Sequence, residues 1–167
     1  MSESSYKALL EVLKEEEKLY SKLLELANEK KEAIVANDID NLSKLLQDDN
    51  EIISLLNQLD QERFELIKSI CENKGVEKQD PSFKELIKLI PEPWQEPLSA
   101  SRNKLLALID ELHEQNEQNK FLINEAIKLN NASVNMFLKA VEPENTTYNN
   151  KQKSVDNKSA HIIDRRG

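Results

Sequence analysis

Tyr6, Leu13, Tyr20, Ala27 and Ile34 recur at every seventh position near the start of the chain, with Leu9/Leu10 and Leu23/Leu24 filling the alternate position. A period of seven is close to two turns of α-helix, so these side chains form one apolar stripe; a half-buried strand would show a period of two. Glu16/Glu17 and Lys30/Lys31 interrupt the stripe, which disfavours an uninterrupted coiled coil. The chain has 2 glycines in 167 residues, one of them the terminal Gly167. Sheets and tight hairpins use glycine where φ must be positive, so the scarcity points to few turns and long helices.

The spacing predicts an all-α fold: an antiparallel bundle of three long helices plus one short helix over residues 1–141, followed by a disordered polar tail over 142–167. The first helix is expected over about 4–36. Asn37 and Asp38 are good N-cap residues, because their side chains can satisfy free amides at a helix start, and they mark a tight turn. A second helix over about 39–73 carries Leu42, Leu45/Leu46, Ile52/Ile53, Leu56, Leu59, Leu66/Ile67 and Ile70, and Gly75 is placed for a left-handed cap. Each of these helices is about 50 Å long at ~1.5 Å per residue, so a short turn between them makes an antiparallel hairpin.

A short helix is expected over about 82–90, capped by Asp80 with Pro81 at its first position. Pro91, Pro93 and Pro97 predict a corner without regular helix, with Trp94 packing across the end of the bundle. The last helix is expected over about 98–141, ended by Pro143. Its stripe is interrupted by Asn116, Asn119 and Asn130, and between Phe121 and Val141 the apolar set is wider than one helix face requires. Two readings of that segment stand side by side. It is either a central helix covered on all sides, or a partly open face that receives a partner's amphipathic helix.

The formal charge is −8, from 23 basic and 31 acidic residues. The tail from residue 142 holds five Lys or Arg against four Asp or Glu, which leaves 18 against 27 in the body. An acidic body repels phosphate, so neither nucleic acid nor an anionic membrane surface is an expected partner. No apolar run reaches the ~18 residues that span a bilayer, so no membrane insertion is expected. "MSESSYKALLEVLKEEEK" lacks a basic region followed by an unbroken apolar one, so no signal peptide is expected. Cys71 stands alone, and a cytoplasmic protein follows as the simplest expectation.

Catalytic groups are sparse, and the chain is read as a non-enzyme with no cofactor and no metal. Asp110 and His113 form one carboxylate-x-x-His half-motif, whereas di-iron bundles need two plus further carboxylates. The only other histidine, His161, lies in the tail. The carboxylates of Glu15-Glu16-Glu17 read as a helix surface paired with lysines one turn away, as in Glu11–Lys14, Glu15–Lys18 and Asp40–Lys44. Cys71 reads as a small packed side chain.

Three stretches, in this order, resemble the FlgN-type flagellar export chaperones. They are "NEKKEAIVANDIDNLSKLLQDDNEIISLLNQLDQER", "LIPEPWQEPL" and "EQNEQNKFLINEAIKLNNASVNMFLKAVEPENTTYNNKQ". The resemblance covers nearly the whole chain. It implies a cytoplasmic chaperone that binds amphipathic terminal helices of the hook–filament junction proteins FlgK and FlgL and delivers them to the flagellar type III export gate. It also implies client binding on the C-terminal helical part, here Leu122, Ile123, Ile127, Leu129, Val134, Phe137 and Leu138. Tyr148 falls at the place of a family tyrosine implicated in docking to the export gate. A monomer or weak dimer is expected. The competing reading is a non-catalytic helical adaptor or self-associating coiled-coil protein, and no role is read for Ser159–Gly167.

Overall fold

The computed structural model describes residues 2–76 and 81–141. They form α1 (Ser2–Val35), α2 (Ile39–Asn73), α3 (Phe83–Leu89) and α4 (Glu92–Val141), with no strand among the described residues. The protein is an all-α helical bundle. The chain divides into two compact units, residues 1–131 and 132–167. The expected boundary at 141/142 lies inside the second unit, and the tail from 142 lies outside the described residues.

Asn37 alone turns the chain from α1 into α2. Its φ is 56°, a left-handed conformation that asparagine tolerates better than most residues. The Asp38 amide reaches back to the Ala33 carbonyl (2.9 Å) and the Asn37 amide to Ile34 (3.1 Å), the two bonds of a Schellman cap. Asn37 therefore ends α1 rather than starting α2. Asp38 is the N-cap of α2, and its side chain accepts from the Asn41 amide at 3.0 Å. At the far end Gly75, with φ 78°, closes α2 with the same pattern through the Cys71 and Glu72 carbonyls.

The hairpin register is set by charge as well as by leucine. Arg63 donates to Glu16 at 2.5 Å, and Lys30 forms an ion pair with Asp49. Between and beyond these pairs lie apolar layers, Leu23 with Leu56 and Leu9 with Ile70. Leu9, Glu16, Leu23 and Lys30 are one heptad position of α1, so polar and apolar layers alternate along it. The expectation of a solvated carboxylate surface thus fails at Glu16, which is 1% exposed. It sits at an interior stripe position, and a cation from α2 makes its burial tolerable. Glu15 does keep the expected surface pair, with Lys18 at 2.7 Å, while Glu11 pairs with Lys7.

α3 differs from expectation at its start. Asp80 lies outside the described residues, and the cap is Ser82, whose hydroxyl accepts from the Glu85 amide while the Glu85 carboxylate accepts from the Ser82 amide. That reciprocal pair satisfies two free amides at once, and Pro81 precedes the helix as a buried residue. α4 also starts earlier than expected, at Glu92 instead of Leu98. The amides of a helix's first turn have no partner to lose, so Pro93 is accommodated there. Pro97 lies deeper and removes a single ladder bond. Trp94 packs on Tyr6, with ring centroids 6.1 Å apart.

Within the first unit α4 runs alongside α1 in the same direction: Ser101 and Lys104 bond Glu17, and Asn119 donates to the Ala27 carbonyl at 2.7 Å. The α1 and α2 backbones approach closely, whereas α4 stands further off and meets them through side chains. The core tapers accordingly. At the α3 end Tyr6, Leu9, Leu13, Ile70, Leu86 and Leu98 belong to one buried cluster, whereas midway only Leu19, Leu23 and Leu56 are buried together.

Two predictions follow from the charged layers. Lys30→Met leaves Asp49 buried without its cation and should cost about 3–5 kcal/mol, while Lys30→Met with Asp49→Leu should equal or exceed the parent in urea unfolding. The second concerns pH. Burial pushes the Glu16 carboxyl above its ordinary 4.5, against the opposing Arg63 hydrogen bond and charge. A raised folded pKa means that its stabilising contribution is full below 4.5 and lost as pH rises through the raised value. Burial also acts on Glu17, but hydrogen bonds from Ser101 and Lys104 outweigh it and lower that pKa. The Glu17 contribution is therefore present above 4.5 and lost as pH falls through the lowered value. Unfolding from acid to neutral pH should show the stability gap between Glu16→Gln and the parent moving in the variant's favour as pH rises. For Glu17→Gln the gap should move the other way.

Candidate functional site

Because α4 stands off from the hairpin, the line between α2 and α4 is not closed, and α1 forms its floor. Four recesses follow one another along this seam. The largest, about 550 Å³, lies at the α3 end between Phe64 of α2 and Leu106 and Ile109 of α4. The next, about 250 Å³, lies between Ile53 and Leu112. A third of about 240 Å³ is walled by Leu46 and Ile123, and a last of about 100 Å³ lies between Leu42 and Ile127, beside the Asn37 turn.

The two recesses near the turn have mostly apolar walls, while Asp60, Arg63 and Arg102 border the largest and Lys30 and Asp49 the next. Leu46 is 48% exposed and Ile127 51%, which is high for large apolar side chains facing a groove. Asn116, Asn119, Asn124 and Asn130 of α4 border the two recesses near the turn. Asn119 is buried, with its amide donating to the Ala27 carbonyl and its oxygen accepting from Gln115 at 3.4 Å. Lys30 and Asp49 neutralise each other on the floor.

The seven residues expected on a binding face separate into groups. Ile123 and Ile127 meet on the seam opposite Leu42 and above Ile34. Leu122 is half-buried and lines a different recess with Phe121 and Lys31. Leu129 is exposed and is not among the seam-lining side chains. Val134, Phe137 and Leu138 belong to the second unit and are exposed there. No described residue from 121 to 141 is buried, so the reading of this segment as a helix covered on all sides is overturned. Polar residues on its stripe, Asn130 among them, keep it from forming a sealed core. Tyr148 lies outside the described residues.

Sequence reasoning missed the α2 wall. Leu42, Leu46 and Ile53 share the hairpin stripe with true core leucines, and periodicity identifies a face without saying whether anything covers it. The asparagines on the facing α4 stripe were the available signal. Of the residues considered for chemistry, His113 is exposed and Cys71 is buried, its thiol pKa pushed up by burial and then by the nearby Glu85. A thiol in that state is poorly nucleophilic. Among the described residues no group of three His, Cys, Asp or Glu side chains is placed to hold a metal ion, and no helix is long and apolar enough to cross a membrane.

Comparison with known families gives the seam its setting. The family described as FlgN protein matches residues 1–155. The chain belongs to the FlgN family. FlgN-family proteins are flagellar export chaperones, so the setting of this seam is flagellum biogenesis. No curated protein and no solved structure is significantly similar to the chain.

The difference between seam and core is measurable. Ile127→Ser in this FlgN-family chain should change unfolding stability by no more than about 0.5–1 kcal/mol, because the side chain is already half in water. Leu98→Ala, at a fully buried position, should cost about 2–5 kcal/mol in the same urea titration.

Proposed function

We propose that this chain is a cytoplasmic chaperone that binds amphipathic terminal helices of the hook–filament junction proteins FlgK and FlgL and delivers them to the flagellar export gate. The observation that carries the reading is the exposed apolar pair Ile123 and Ile127 set across the seam from Leu42 and Leu46. An amphipathic helix laid there hides its apolar face, which would otherwise drive early self-association of the client. Family membership supplies the class of client, and the match extends past Tyr148 to residue 155.

Two roles are proposed for the C-terminal part. Ile123 and Ile127 hold the client together with α2, while Leu122, Leu129, Val134, Phe137 and Leu138 add apolar surface on the same helix. Tyr148 contacts the export gate. Capture must be reversible, so affinities of micromolar to nanomolar, about −8 to −12 kcal/mol, are expected.

Immobilised full-length chain should retain FlgK or FlgL from a lysate as a complex of defined mass. Leu42→Asp with Ile123→Asp should reduce retention by about tenfold or more with an unchanged helical circular dichroism spectrum. Tyr148→Ala should leave retention intact and weaken binding to the export gate. Failure to retain either junction protein contradicts the proposal, and loss of client capture on Tyr148→Ala contradicts the division of roles.

A further inference from the structure

We infer that the whole seam takes one continuous amphipathic helix of a partner, carrying a carboxylate that sits against Arg102 at the α3 end. This rests on the reading of the chain as a helix-binding chaperone, and extends it in length and in chemistry.

Length comes from the order of the recesses. Their α2 walls step from Phe64 through Ile53 and Leu46 to Leu42, while the α4 walls step from Leu106 through Leu112 to Ile127. On α2 the Ile53, Leu46 and Leu42 recesses lie about one to two turns apart and share Asn116 and then Ile34. The Phe64 recess lies about three turns before them with no lining residue in common, a gap that a partner helix would bridge. From Arg102 to Asn130 the seam is roughly 42 Å long at ~1.5 Å per residue, room for a helix of about 28 residues. Two helices that flank a third and leave an apolar seam of this length are three parts of a four-helix bundle, and the absent part is a helix.

Chemistry comes from the charges that remain after internal pairing. Lys30 is matched by Asp49, Arg63 by Glu16 and Asp60, and Lys120 by Glu117 at 3.6 Å. Asp38 caps α2. Arg102 borders the largest recess, is half-buried, and has its guanidinium 5.3 Å from the centre of the Phe83 ring. Among the described residues it has no carboxylate partner, although the chain carries 31 acidic residues. A half-buried guanidinium stacked on an aromatic ring is ordered in place and loses part of its hydration, so a carboxylate brought to it gains more than at an open surface. The turn end of the seam offers asparagine amides instead. The partner helix therefore has uncharged polar flanks at one end and Asp or Glu beside its apolar stripe at the other.

The test uses the full chain and a fluorescent synthetic helix of about 28 residues. The peptide has leucine and isoleucine at heptad a and d positions, glutamine and serine elsewhere, and one glutamate in its first turn. Anisotropy should show binding that weakens about tenfold with Arg102→Glu, less with Arg102→Gln, and also with Leu46→Asp at the opposite end. A peptide with lysine in place of the glutamate should prefer Arg102→Glu over the parent. Unchanged helical dichroism in the variants shows that the fold is intact. If Leu46→Asp weakens binding while both Arg102 variants leave it unchanged, the inference is overturned and the chaperone reading survives. If the parent binds no peptide but retains FlgK or FlgL, the inference alone fails, and if it retains neither, both fail. A parent chain that sediments as a dimer split by Arg102→Glu would assign the seam to a second copy and overturn the inference.

Discussion

The fold depends on two ion pairs buried between α1 and α2, Glu16 with Arg63 and Lys30 with Asp49. A leucine-rich hairpin of this length has several heptad registers of nearly equal apolar burial. Sliding α2 by one heptad sets Glu16 against Leu56 and Lys30 against Leu42; sliding it the other way sets them against Ile70 and Leu56. Either slip buries two charges against hydrocarbon, a cost of several kcal/mol for each charge. A charged layer contributes little net stability compared with well-packed leucines, but it excludes these alternatives, as polar core positions do in coiled coils. The carboxyl of Glu16 shows the cost directly, since one of its oxygens is buried without a hydrogen-bond partner and its pKa is raised by burial.

The same layers shape the rest of the first unit. Where the facing residues are Leu9, Ile70, Leu86 and Leu98, the helices close over a dry core. Toward the Asn37 turn the facing residues are Lys30, Asp49 and Asn119, whose polar atoms need partners rather than tight packing. α4 meets them with an asparagine bonded to a main-chain carbonyl, and along its whole length within the first unit it stands further from the hairpin than the hairpin helices do from each other. The α3 end holds the larger buried cluster with the largest recess beside it, and toward the turn Leu42, Leu46, Ile123 and Ile127 stay in reach of a partner.

Much of this could be read from residue spacing. Heptad recurrence through Tyr6, Leu13, Tyr20, Ala27 and Ile34 gives a helix whose stripe needs a partner, and the scarcity of glycine excludes most other folds. The FlgN resemblance rested on the order of three stretches and on no single motif, and the family match has the same character in covering most of the chain. Local competition between signals was harder to read. Ser82 caps α3 because Glu85 stands three residues on, and Pro93 sits in a helix because the first turn asks nothing of its missing amide. The interruptions at Glu16 and Lys30 were visible, but their partners lie 47 and 19 residues away. A stripe likewise does not reveal which of its leucines remain uncovered, so Leu42 and Leu46 were indistinguishable from Leu45 and Leu56.

Hydrogen–deuterium exchange on the full chain, alone and saturated with a junction protein, addresses the central claim that a register-locked hairpin leaves a seam for a partner's helix. Client should slow exchange along α2 from Ile39 to Phe64 and along α4 from Arg102 to Asn130, with little change at the already closed core around Leu9 and Leu98. Protection confined to residues 132–141, with the seam exchanging as it does in the free chain, would contradict the account.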